Sequence, residues 1–232
     1  MNINNKDFFT IDPSWVTTYP GAKAGILVIK NIDNTGDISK LNEYKADIEK
    51  NLKNDFKGFL REEINNIPVI NIYNNYYKNF GKTYHVRSQV ESVINGKSLS
   101  SGSLVLTAMF MAEVKNMLLT AGHDIVTLEL PINIKIGTGE ESFIDIRGSE
   151  KTTVSGDMTM MDGKGVISSV ILGPDNRTKL TPGVKDVFFA VYAPAHIERE
   201  AVFSHLKDIE KYVKAFSPES ETSMIEVFQA KQ

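Results

Sequence analysis

Two apolar, β-branched runs late in the chain, residues 166–172 and 187–192, enclose the polar segment Asp175-Asn176-Arg177-Thr178-Lys179-Leu180-Thr181. Runs of this kind, bounded by Gly and Pro, predict buried strands. The loop between them is held by a rigid scaffold and is free to carry polar chemistry, so it is either a solvated connection or the place where a site is most easily built. Upstream, residues 15–19 and 24–29 read as two strands joined across Pro20-Gly21-Ala22-Lys23, a predicted N-terminal β-hairpin. Ile38, Leu41, Tyr44, Ile48, Leu52, Phe56 and Phe59 then recur every three or four residues, predicting an amphipathic helix with Asp37 as its N-cap.

After Pro68, the stretch from Val69 to Phe80 carries Tyr73, Tyr76, Tyr77 and Phe80 and predicts a short helix ending at Gly81. Its aromatic residues could stack on nucleic-acid bases, but their helical spacing favours core packing. Ser88-Gln89-Val90-Glu91 has the form of a capping box, predicting a helix from Ser88 to Asn95-Gly96. The most apolar helical stretch runs from Ser103 to Thr120, with Gly122 in the position of a glycine stop. Strands are expected at 132–136, 143–146 and 156–161, and the Asp162-Gly163 turn leads into the 166–172 run as a hairpin. Val202, Leu206, Ile209, Val213 and Phe216 mark a last amphipathic helix from about Glu198, and Met224 to Phe228 an edge strand.

The expected class is α/β in the α+β sense: a mixed, largely antiparallel sheet with packed helices. A chain of 232 residues that is 41% hydrophobic can bury a full core, and no compositional break forces a second domain, so a single domain over 1–232 is expected. Cysteine is absent, which excludes disulfides, thiolate zinc sites and a cysteine nucleophile. The polar N-terminus and the lack of a long apolar run point to a cytoplasmic protein with no membrane partner. A net charge of −3 gives no global basic footprint for DNA or RNA, leaving only a local patch.

The four histidines, His85, His123, His196 and His205, show no metal-ligand spacing, so no metal is expected. A nucleophile elbow, a phosphate-cradling loop and a dinucleotide fingerprint are all missing, so no cofactor is expected either. There remains a pocket lined from the end of the long apolar helix, from His123 to Thr127 and from Asp175 to Thr181. Such a pocket could hold a water against an ester by hydrogen bonding and proximity, or simply bind.

In their order along residues 15–194, several pieces resemble the B3/B4 domain of the phenylalanyl-tRNA synthetase beta chain, and more closely its free-standing versions. These pieces are Tyr19-Pro20-Gly21 with the strand after it, Val86-Arg87-Ser88-Gln89-Val90-Glu91-Ser92-Val93-Ile94, the long helix closing at Gly122, Ser155-Gly156-Asp157, and above all Asp175 to Thr181. The resemblance implies a sheet and helices around an editing pocket, where the synthetase domain hydrolyses tyrosine wrongly attached to the phenylalanine tRNA. It also implies that free-standing relatives are trans-acting deacylases, with the aminoacylated 3′ end of a tRNA as partner.

Under that resemblance Asp175, Asn176 and Glu113 are the candidate catalytic residues. Thr127, His123, Thr178, Arg177 and Lys179 are the candidate substrate contacts, with Arg177 and Lys179 on the RNA backbone. The chain departs from the family by Ala112 and Lys115, where relatives carry Asp and Asn. Val126 stands at about the position of the pocket histidine, with His123 three residues earlier. Those departures favour an alternative reading, a non-catalytic module that keeps the fold and binds a small amino acid or a protein partner. Arg177 and Thr178 also have a purely structural reading, fixing their own loop by hydrogen bonds.

Overall fold

The computed structural model describes residues 5–99 and 101–231. In chain order its elements are α1 (Asn5–Phe8), β1 (Phe9–Ile11), α2 (Pro13–Thr18), β2 (Lys23–Lys30), α3 (Ser39–Asp55), α4 (Arg61–Asn65), α5 (Pro68–Lys78), α6 (His85–Ile94) and α7 (Leu104–Asn116). There follow β3 (Thr120–Asp124), β4 (Ile132–Ile136), β5 (Ser142–Ile144), β6 (Glu150–Thr152), β7 (Met158–Asp162), β8 (Gly165–Ser169), β9 (Gly173–Pro174), β10 (Val187–Ala193), α8 (Arg199–Phe216) and β11 (Glu221–Gln229). The architecture is mixed α+β with largely antiparallel sheets and packed helices, as the pattern predicts.

One sheet is fully antiparallel, in the order β11-β2-β10-β3. Its inner strands β2 and β10 are buried along nearly their whole length, which explains why both read as unbroken apolar runs without alternation. The stripe of α8 is buried against this sheet, and Gly25 of β2 permits the approach: a Cβ there would meet Val202 Cγ1 at 2.6 Å. The second sheet runs β1-β4-β7-β8-β9, with β1 parallel to β4 and the other pairs antiparallel. β5 and β6 form a separate hairpin, tied to the chain after β9 by a bridge between Asp145 and Asp175. The edge strand expected at Met224–Phe228 is β11, and the Asp162-Gly163 hairpin is the β7–β8 turn.

Four local expectations are corrected. The N-terminal hairpin is absent, because Trp15 to Thr18 belong to a helix and not a strand. Asp12 Oδ1 accepts from Ser14 N at 2.8 Å and Pro13 stands in the first turn, so a capped start overrides the β-branched Val-Thr-Thr run. Asp37 is not the N-cap of α3; it lies one residue further out and accepts from Ser39 N at 2.9 Å. The Ser88 capping box does not form, since α6 begins at His85 and Ser88 sits inside it.

The long helix ends at Asn116, not at Gly122. Met117 takes a left-handed conformation with φ 58°, and Glu113 Oε1 accepts from Thr120 N at 2.8 Å, turning the chain into β3. Gly122 lies within β3, where a Cβ would meet Leu180 Cδ1 at 2.6 Å. Its smallness serves the packing of the 175–181 loop and ends no helix.

The Tyr-rich helix α5 packs into the core. Tyr73, Tyr76 and Tyr77 are buried, and Tyr73 stacks on Tyr84 at 4.3 Å between centroids. These rings are therefore unavailable as a base-stacking platform. No described helix is long and apolar enough to cross a membrane.

Candidate functional site

The segment after β9 is clasped from two sides. Asp175 N donates to Ile167 O at 2.9 Å on β8, and Asn176 N donates to Ile144 O at 2.8 Å on β5. These bonds place Asp175, Asn176 and Arg177 on the wall of a cleft of about 310 Å³, together with Ser142, Phe143, Ile144, Lys164 and Val166. The cleft thus lies between the β5–β6 hairpin, the β7–β8 turn and the predicted loop.

Arg177 is the brace of this corner. Its Nη1 and Nη2 donate to Asp162 at 2.9 and 2.8 Å, Nη1 also donates to Thr127 O at 2.8 Å, and Nε lies 3.6 Å from Asp175 Oδ2. A two-pronged guanidinium–carboxylate pair holds geometry as well as charge. Burial opposes ionisation of Asp162, but the Arg177 donors and the N–H groups of Glu129 and Lys164 outweigh it and hold the carboxyl below its ordinary value. The structural reading of Arg177 thus has explicit bonds behind it, while its side chain, 31% exposed, still reaches the cleft.

Behind the wall, Thr178 is fully buried, and its hydroxyl bonds to Asp175 Oδ1 and to His123 Nδ1, the latter at 2.7 Å. His123 is also fully buried, stacked on Phe188, with Nε2 3.2 Å from Ser168 Oγ. Burial holds it neutral and lowers its pKa to about 3. Burial likewise raises the pKa of Asp175 from its ordinary value, against the opposing hydrogen bonds from Thr178 and the charge of Arg177. Lys179 Nζ donates to Asn176 Oδ1 at 2.8 Å, and the Lys179 backbone bridges to His123. Thr127 contributes its carbonyl to Arg177 and turns its own hydroxyl to Asp124 O at 2.7 Å.

Seven of the eight candidates are therefore linked in one corner: Asp175, Asn176, Arg177, Thr178, Lys179, His123 and Thr127. Glu113 is elsewhere. It is buried at the α7–β3 junction, outside the lining of the cleft, and burial pushes its pKa up to about 8. Lys115 pairs with Asp208 at 2.7 Å on α8, Ala112 is buried in α7, and Val126 is 80% exposed. Sequence reasoning missed Asp162, Lys164, Phe143, Ile144 and Val166 as parts of the corner. Asp162 and Lys164 were visible only as turn residues, and nothing in their local pattern foretells a pairing with Arg177 fifteen positions on.

Chemically the cleft joins an apolar side, Phe143, Ile144 and Val166, to a polar one. Asn176 Nδ2 has no acceptor among the described residues, and the Lys164 side chain is 57% exposed, engaged only by the equally exposed Glu129 at 3.6 Å. These are donors for a carboxylate or carbonyl oxygen. Ser142 lines the cleft, but no described histidine does, since His123 is buried behind the wall with Ser168.

No family model and no curated protein matches the sequence. Among solved structures, the chain resembles an N-terminal fragment of the phenylalanyl-tRNA synthetase beta-subunit from Pyrococcus horikoshii, with 12% identity and a TM-score of 0.46. The match covers 90% of this chain and 48% of that one, so the chain spans about half the length of that structure. The likeness is a distant structural resemblance.

Proposed function

We propose that this chain is a B3/B4-like binding module that takes an amino acid, free or as the aminoacyl group on the 3′ end of a tRNA, into the cleft beside Asp175, Asn176 and Arg177. The observation that carries the reading is the composition of that cleft. Its volume of about 310 Å³ stands at the lower end of the roughly 300–1,000 Å³ of small-molecule sites. It sets an apolar wall opposite free donors, which suits a ligand with one polar head and one apolar side chain. The tRNA-linked form is supported by the resemblance of the 175–181 motif to the editing-domain family.

Binding is favoured over hydrolysis by the way the candidate catalytic groups are used. Asp175 is bonded to Thr178, Asn176 to Lys179, and Glu113 lies outside the cleft. Thermal-shift measurements with the twenty standard amino acids, run beside a deacylation assay on a panel of aminoacyl-tRNAs, test the proposal. Stabilisation by a subset of amino acids with no acceleration of ester loss is the expected result. Accelerated loss that disappears in Asp175→Asn would replace the binding module by a deacylase, and silence in both assays would remove the reading.

A further inference from the structure

The corner holds a carboxylate with only a shared cation, and a hydrogen-bond chain whose direction can be worked out atom by atom. Two carboxylates, Asp162 and Asp175, surround the single guanidinium of Arg177, and Asp162 takes both of its terminal nitrogens. The other nearby cations are engaged elsewhere: Lys164 faces Glu129 at 3.6 Å, Lys151 faces Asp145 at 3.8 Å, and Lys179 Nζ donates to Asn176 Oδ1 at 2.8 Å. Among the described residues, Asp175, the carboxylate that lines the cleft, thus has one ion-pair partner, the guanidinium that it shares with Asp162.

Thr178 has one hydroxyl proton and two partners, Asp175 Oδ1 and His123 Nδ1. Each partner must take the opposite role. His123 Nε2 continues to Ser168 Oγ, and Ser168 to the Tyr192 hydroxyl. Ser168 Oγ is the one hydrogen-bond acceptor that the described residues offer the Tyr192 hydroxyl, so the Tyr192 proton goes to Ser168. Starting from that end, Tyr192 donates to Ser168, Ser168 donates to Nε2, Nδ1–H donates to Thr178, and Thr178 donates to Asp175. Every proton along the chain then has an acceptor. The reverse direction would need a protonated Asp175 and would leave the Tyr192 proton without an acceptor among the described residues. The direction that satisfies the buried groups is thus the one in which Asp175 is an anion.

We propose that Asp175 is the specificity-determining residue of the cleft, an ionised acceptor that reads an ammonium group on the ligand and is held in that state by the chain through Thr178, His123, Ser168 and Tyr192. This rests on the amino-acid reading of the cleft and narrows it: the ligand is an amine-bearing acid or ester, and N-acylated or deaminated analogues are rejected. A buried anion with only a shared guanidinium is poorly compensated, and the incoming ammonium supplies the missing charge.

The experiment measures binding of L-leucine, L-phenylalanine and L-methionine by calorimetry, each beside its N-acetyl and its deaminated form. Nitrogen NMR of the His123 ring reads the chain without any ligand. The expected results are at least tenfold weaker binding of both analogues, loss of that preference in Asp175→Asn, which keeps a carbonyl acceptor for Thr178, and a neutral His123 protonated on Nδ1. Equal binding of all three forms overturns the inference while leaving the binding module standing. Absence of binding by every form removes the amino-acid reading and the inference with it. A proton on Nε2 overturns the charge assignment whatever binds.

Discussion

Replacing Glu113 by Gln isolates the energetic consequence of a carboxylate buried without a cation. Glu113 is 2% exposed, and the Thr120 N–H at 2.8 Å is the hydrogen bond that its carboxylate accepts. Burial raises its pKa from an ordinary 4.5 to about 8. Below pH 4.5 the acid is protonated both folded and unfolded. As pH rises towards 8 the unfolded chain releases the proton while the folded protein keeps it, so stability is lost across that window and levels off above it. At about 1.4 kcal/mol for each tenfold in proton affinity, the loss is about 1 kcal/mol at pH 5, about 3 at pH 7 and nearly 5, as an order of magnitude, at pH 9.

The amide of the Glu113→Gln variant keeps an oxygen for Thr120 N and cannot ionise. The variant should therefore match the wild type near pH 4.5 and exceed it by about 3 kcal/mol at pH 7. In urea this is a midpoint shift of roughly 1–1.5 M for a slope of ~2–3 kcal/mol/M. Urea unfolding of both proteins at pH 5, 7 and 9 at one ionic strength is the assay. His205 and His123, also buried, are common to both proteins and cancel in the difference. A gap between the two that does not change with pH would refute the reasoning, because a purely steric effect of the amide has no reason to follow the proton.

Arg177→Ala leaves Asp162 buried without its guanidinium and should lower stability by about 3 kcal/mol, read by urea unfolding; Arg177→Lys should recover only part, since a single ammonium cannot reproduce the two-pronged bond. Gly122→Ala places a methyl where Leu180 Cδ1 and Met109 Sδ stand 2.6 and 3.3 Å away, and should cost about 1–3 kcal/mol by overpacking. Combining it with Leu180→Ala should make the two losses less than additive, and strict additivity would rule out the clash. His205, fully buried between Thr120 Oγ1 at 2.7 Å and Asn116 Nδ2 at 3.2 Å, is lowered by burial to about 4. Its contribution is intact above about pH 6.5 and lost as pH falls through 4, so His205→Gln should flatten the acid limb of the stability curve; an unchanged limb would contradict this.

The elements legible in the sequence are those whose signal is local. The unbroken apolar runs of β2 and β10, the three-and-four stripe of α8 and the Asp162-Gly163 turn each report their own period or turn chemistry, and each stands where the pattern puts it. The cluster from Asp175 to Lys179 is legible as a site candidate for the same reason: polar residues between two buried strands. What those residues do to one another is not legible, because their partners lie far along the chain. Arg177 meets Asp162 and Thr127, Thr178 meets His123, and the cleft needs Phe143 and Ile144 from a hairpin that reads as unremarkable.

The errors share that cause. Trp15 to Thr18 have strand-like side chains, but the Asp12–Pro13 start and the burial of Trp15 against Met158 make them a helix. Gly122 looks like a helix stop, yet the chain turns earlier because Glu113 captures Thr120 N and Met117 accepts a left-handed backbone. The class of fold, the inner strands and the polar loop follow from the order of residues alone, since hydrophobic periodicity is a property of near neighbours. Which polar groups bond to each other and which face the cleft is settled by the folded arrangement, since long-range pairing joins His123 to Thr178 and Arg177 to Asp162, and burial encloses Glu113.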